Sequence, residues 1–151
     1  MSNEFNIQVI DDGVQAALSK LARIAPDRAQ AIVEASAHMI QDRAVKNIQG
    51  GVRTGKFYRA TKDGKMHQAS APSEFPKSNT GNLVKNITVE KVPNQVAATV
   101  GSRDAAEYGY YLEFGTSKMQ PRPWLGRSAE QEREAINKLI DNTVNRLLDE
   151  L

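Results

Sequence analysis

Between Val14 and Ala44 the apolar residues recur at helical spacing. Val14, Ala17, Leu18, Leu21 and Ile24 form one stripe, and Ala29, Ile32, Val33, Ser36, Met39, Ile40 and Ala44 form a second. The first stripe predicts a helix capped by Asp11 or Asp12. The second predicts a longer helix that starts at Pro26, a good first-turn residue, runs to about Ile48 and stops at Gly50 and Gly51. Upstream, Phe5, Ile7 and Val9 alternate with Asn6, Gln8 and Ile10, which reads as a short strand or an extended arm. From Leu83 the period changes to two: Leu83, Ile87 and Val89 face one way, as do Val96, Ala98 and Val100 after the turn at Pro93-Asn94. That is a hairpin. At the end of the chain Ser128 and Gln131 resemble a capping box, with Glu130, Glu132 and Glu134 suited to a helix N-terminus. Ile136, Leu139, Ile140, Thr143, Val144, Leu147 and Leu151 continue as a stripe, so 128–151 reads as a C-terminal helix. Together these elements predict an α+β fold, long helices packed against a small antiparallel sheet, as one domain over residues 1–151.

Residues 50–81 interrupt this pattern with a long polar excursion. Lys56 to Ala60 and Lys65 to Ala69 flank Asp63-Gly64, a dipeptide suited to a tight hairpin turn. Ser70 to Gly81 is too rich in Pro, Ser and Gly for a regular element, and reads as a mobile loop or an arm that orders only against a partner. Excursions of this length carry function or assembly contacts.

Five of the nine aromatic residues, Tyr108, Tyr110, Tyr111, Phe114 and Trp124, lie within the 17 positions from Tyr108 to Trp124. As a helix, with Asp104 and Glu107 at its start, this stretch places Tyr108, Tyr111, Leu112 and Gly115 on one side and Tyr110 and Phe114 on another. Two apolar sides require two covers, from the same subunit or from a neighbour. Gly115 suits a left-handed stop, and Pro121 and Pro123 hold the following arm extended.

The string Tyr111-Leu112-Glu113-Phe114-Gly115-Thr116-Ser117-Lys118-Met119, with Pro121-Arg122-Pro123-Trp124-Leu125 after it, resembles the signature of a tail-component family of long-tailed bacteriophages, typified by gene product ten of phage HK-ninety-seven. Val52 to Arg59, Ser70-Ala71-Pro72 and Thr80-Gly81-Asn82-Leu83 resemble further family segments, so the likeness covers roughly residues 30 to 135. Two positions depart from it: Ser73 stands where the family often has Gly, and Gly126-Arg127 where it has a bulkier residue and often Pro. The second departure leaves the last helix starting at Pro123 or only after Gly126. The resemblance implies a virion structural protein, made in the bacterial host cytoplasm and located at the neck or tail, that joins the head to the tail or completes the tail as a ring of identical subunits. Its partners would be other neck and tail proteins, with nonspecific contact to packaged DNA as a further possibility. Under that reading Tyr108, Tyr110, Tyr111, Phe114, Arg122 and Trp124 are the expected oligomer or partner interface, and replacing Trp124 by Ala should shift oligomer size before it shifts the fold.

Composition narrows the chemistry. The chain has no cysteine, which excludes disulfides, thiol catalysis and thiolate metal sites. No apolar run approaches the roughly 20 residues that span a bilayer, so a soluble protein without a membrane partner is expected. The formal charge is 20 minus 18, or +2, but it is unevenly spread. Arg43 to Lys65 holds seven basic residues against Asp63, with Asp42 just before it, whereas Ser128 to Leu151 holds six acidic residues against three basic. The alternative function is therefore a nonspecific DNA-binding protein, with Arg53, Lys56, Arg59, Lys62 and Lys65 facing DNA and Phe57 and Tyr58 available to stack on bases. The bland reading of the same run is a solvated face.

No enzyme motif or cofactor fingerprint is present, and neither a cofactor nor a metal is expected. His38, in mid-helix, reads as a structural histidine beside a packed face, and His67 as a solvated strand residue. Glu113, between Leu112 and Phe114, is the one acid with a claim to a raised pKa, and a hydrolase built on it is a third reading. A partly buried acid more often has a partner, for which Arg122 or Arg103 is the candidate.

Overall fold

Each helical stripe finds a partner, and the partners meet along one long helix. The computed structural model describes residues 8–50, 53–59, 64, 66–76, 82–102 and 106–150. Helix α1 (Asp12–Ile24) and helix α2 (Pro26–Gln49) are separated by Ala25 alone, with Pro26 in the first turn of α2 as its fixed dihedral favours. Asp11 occupies the N-cap position of α1 without a side-chain capping bond. Its backbone N–H instead donates to Asn137 Oδ1 at 2.8 Å. Residues 8–11 form no strand, and Phe5 and Ile7 of the expected alternating segment lie outside the described residues.

Strands β1 (Phe57–Arg59) and β2 (Met66–Gln68) pair antiparallel with Phe57 opposite Gln68 and Arg59 opposite Met66. Gly64 has φ +88°, the left-handed conformation expected of Asp63-Gly64 at this turn. A short helix α3 (Asn82–Lys85) precedes strands β3 (Ile87–Lys91) and β4 (Ala98–Ser102), which pair with Val89 opposite Val100. This corrects two positions of the second hairpin: Leu83 is buried on α3, and Val96 lies in the turn. A buried residue on either side of a strand satisfies the same apolar pattern. Helices α4 (Ala106–Phe114) and α5 (Leu125–Asp149) complete the chain, while the capping pair expected at Asp104 falls outside the described residues.

Two hydrophobic clusters share α2. In the first, Leu18 and Leu21 of α1 and Ala29 and Ile32 of α2 pack on Ile136, Ile140 and Val144 of α5. In the second, Ala44 and Ile48 at the other end of α2 meet Leu83, Ile87, Leu112 and Trp124. Side chains of α2 also hold the β3–β4 hairpin. Gln30 both donates to Ala97 O and accepts from Ala97 N, each at 3.0 Å, and Gln41 donates to Ile87 O at 2.8 Å. The sheet is thus fixed to the helix by backbone groups that the strand ladder leaves open.

Candidate assembly site

Helix α4 ends where an aromatic, glycine-stopped sequence requires. Gly115 has φ +76°, its N–H donates to Tyr111 O at 2.7 Å, and a Cβ there would stand 2.8 Å from Met119 O. Thr116 and Met119 then bridge each other in a tight turn, and Arg122 N returns to Leu112 O at 2.6 Å. The reversal brings the last turn of α4 beside the first turn of α5.

Glu113 joins the two helices. Its Oε2 accepts from Trp124 N at 2.8 Å and Leu125 N at 2.9 Å, and its Oε1 accepts from Gly126 N at 3.0 Å. The expected ion pair with Arg122 is therefore replaced by a carboxylate supplied from α4 that caps the N-terminus of α5; Arg103 is outside the described residues. Three backbone donors and the positive end of the helix dipole stabilise that charge as an arginine would. The expected capping box fails for a related reason. Helix α5 starts at Leu125, so Ser128 lies within the first turn, where its Oγ donates to Trp124 O at 2.5 Å. Glu130 and Glu132 lie beyond that turn and pair with Arg133 at 2.9 Å and Arg43 at 2.6 Å.

A second junction fastens the loop after β2. Buried Arg53 directs Nη2 at Asn47 O, Ile48 O and Pro76 O, two of them carbonyls at the C-terminal end of α2. Burial pushes the Arg53 guanidinium down from its ordinary value, and the nearby Glu74 charge opposes that shift. Glu74 accepts from Ala71 N at 2.6 Å, Thr54 N at 3.0 Å and Thr54 Oγ1 at 2.8 Å. These bonds, Ala71 first, hold its carboxyl below the usual carboxylate range. Arg122 donates to Ser70 O at 3.2 Å and 3.1 Å, Ser73 N donates to Pro121 O at 3.1 Å, and Arg127 bonds Ser73 O. The portion 70–76 of the expected mobile arm is thus tied within the subunit, and 77–81 lies outside the described residues. The same junction clamps the β1–β2 hairpin at its base, where Gly55 N donates to Ala69 O and Ala69 N to Lys56 O. Only a glycine fits at 55, since a Cβ would approach Ala69 O to 2.5 Å.

The expected interface residues separate into two groups. Tyr108, Phe114 and Tyr111 lie on the outside of α4, 54%, 46% and 39% exposed, and the Tyr110 ring packs at 4.8 Å from that of Phe114. Gly109, Leu112 and Glu113 face inward instead, so Tyr111 and Leu112 belong to opposite sides, unlike the division read from the sequence. Trp124 is 2% exposed, and its Nε1 donates to Gly109 O at 2.9 Å. It is core within its own subunit. Arg122 is half-buried against Ser70.

Of the residues assigned to DNA, Arg53 is turned inward by its carbonyl partners and Lys56 is exposed. The Arg59 side chain, Lys62 and Lys65 lie outside the described residues. His38 is exposed, not packed, with Nδ1 2.9 Å from Gln41 Oε1. Among the described residues no group of three or more His, Cys, Asp or Glu is placed to hold a metal, and no helix is long and apolar enough to cross a membrane. The sequence reading missed Glu74, an acid between Ser73 and Phe75 in a loop bounded by Pro72 and Pro76, where backbone donors have no ladder partner.

A family model described as "Bacteriophage HK97-gp10, putative tail-component" matches residues 12–115. The match takes in Arg53, the loop at 70–76 and the aromatic helix with Glu113, and stops short of the Pro121–Trp124 arm and of helix α5. Comparison with curated proteins and with solved structures returned no match.

Proposed function

Because the chain belongs to this tail-component family of bacteriophage proteins, we propose that it acts at the joint between head and tail, completing the tail as a ring of identical subunits in the neck. The observation that carries the reading is the outer face of α4. Three large aromatic residues stand exposed on a nine-residue helix whose inner side is fixed by Glu113 and Trp124. Aromatic side chains with one apolar body and one polar tip suit a surface that is covered on assembly. The protein's work is assembly, with no reaction assigned to it.

The test is electron microscopy of particles from a phage whose copy of this gene is deleted, complemented with the intact gene or with a Tyr108→Ser, Phe114→Ser variant. The intact gene restores joined particles. The variant folds, by circular dichroism, yet leaves heads separate from tails or tails of abnormal length. Normal particles without the gene would refute the reading, and normal particles with the variant would remove α4 from the interface.

A further inference from the structure

The inner side of β4 is only partly covered. Ala98 and Val100 are half-buried, with exposed Thr99 between them, and both line an open groove of about 280 Å³. Val33, Ala37 and Ile40 of α2 form its floor, and Gln8 to Ile10 stand on the far side from β4. Its lining contains no charged residue among the described ones, and none from β3. The groove therefore lies beyond β4, which among the described residues pairs with β3 alone. An uncovered sheet edge beside an apolar floor is a seat for one more strand.

The direction in which the chain reaches this groove identifies the occupant. Helices α2 and α5 run antiparallel, since Asn47 bonds Ser128 and Gln131 while Arg43 bonds Glu132. Strand β4 runs the same way as α2: Gln30 bonds Ala97, and Gln41 bonds Ile87, the partner of Ser102. On α5, Asn137 accepts from Asp11 N, Asn137 and Arg133 both donate to Val9 O, and Arg133 donates to Gln8 O. Going backwards from Asp11 to Gln8 thus moves towards the start of α5, which is towards the end of α2 and along β4 from Ala98 to Ser102. Followed forwards, the chain enters antiparallel to β4. Val9 packs against the first hydrophobic cluster and Gln8 is exposed, which sets the inward and outward sides of the entering chain.

We propose that the groove seats the chain's own N-terminal segment, the residues before Gln8 adding to β4 as a third, antiparallel strand. Period two then puts Ile7 and Phe5 on the inward side of Val9, over Val33, Ala37 and Ile40, and Asn6 on the outward side with Thr99. Six extended residues span about 20 Å, enough to pass the roughly 17 Å of β4. The peptide link at Gln8 holds this segment at the mouth of the groove, an effective concentration that a second chain does not match. A strand in this seat also closes the β4 edge to strands of other chains. The inference is independent of the ring reading.

Amide hydrogen exchange on the full-length chain tests it. Alternate amides of β4, those turned away from β3, should be protected, and deletion of residues 2–7 should speed their exchange about tenfold or more while the amides paired with β3 keep theirs. Equal exchange at the outer amides in the two proteins overturns the proposal. A second measurement does not depend on the truncated chain folding. Asn6→Cys and Thr99→Cys, the only cysteines in the chain, are treated with a short bis-maleimide at low protein concentration. A link within one chain is expected, seen as a monomer on a denaturing gel and as a joined peptide by mass after digestion. Links only between chains give the seat to a second copy and overturn the proposal, and so does the absence of any link.

Discussion

Ser73 has φ +71°, a left-handed conformation that an L side chain adopts at a cost of roughly 1 kcal/mol and that glycine adopts freely. Its N–H and C=O are both bonded, to Pro121 and Arg127, so the loop cannot relax without losing those contacts. The sequence had marked this position as one where the family often carries glycine. Ser73→Gly is therefore expected to raise stability by about 0.5–1 kcal/mol, read as an increase in the denaturation midpoint; a decrease would mean the hydroxyl matters more than the strain. Glu113 shows the opposite case, a residue whose importance was legible while its partner was not. Backbone N–H groups have no residue type, so a sequence search for a positive partner points to arginine and overlooks the start of a helix. Glu113→Gln keeps one acceptor oxygen and loses the charge, and should cost about 1–3 kcal/mol in a denaturant titration. An unchanged midpoint would show that the cap contributes little.

At the scale of elements, periodicity located α1, α2 and the β3–β4 hairpin because each buries a repeating face, whereas the β1–β2 hairpin was legible from its Asp63-Gly64 dipeptide alone. It failed where an element is terminated by a distant group. The start of α5 depends on Glu113, 12 residues before Leu125, so the nearby Ser128 and Gln131 were a false signal. The bonds that tie the loop at 70–76 are illegible for a similar reason: they come from Arg53, Glu74 and Arg122, whose contacts with backbone carbonyls and amides leave no pattern in composition. This loop should respond to acid. Glu74 titrates below the ordinary 4.5, so its anchoring of Thr54 and Ala71 is at full strength above that value and is lost as the pH falls through the lower folded-state value. Amide resonances of Thr54 and Ala71 should shift together over that acid range, and Glu74→Gln should remove the transition. Trp124 belongs to the joint between α4 and α5. Trp124→Ala is expected to cost about 3–5 kcal/mol and to unfold the joint, reversing the order of effects that an interface role predicts. A smaller oligomer with an unchanged denaturation midpoint would restore the interface role.

For the whole molecule, the basic run of the sequence divides, with Arg53 turned inward onto backbone carbonyls and Lys56 exposed, while acids of the C-terminal run are paired, Glu130 with Arg133, Glu132 with Arg43 and Glu134 with Lys138. The concentration of aromatics was equally plain, but which of them face outward was not: a 17-residue stretch that folds back on itself buries Trp124 and exposes Tyr108. Helix α2 gives this arrangement a mechanical character. Its 24 residues form a rod of about 36 Å that is embedded in one cluster near its start and in the other near its end. Arg53 grips the carbonyls at the far end, and the hairpin emerges a few residues later. Arg53 thus fastens the segment after α2 to the end of a rod whose two halves are held in separate clusters, so loosening either cluster is expected to leave the other end of α2 in place.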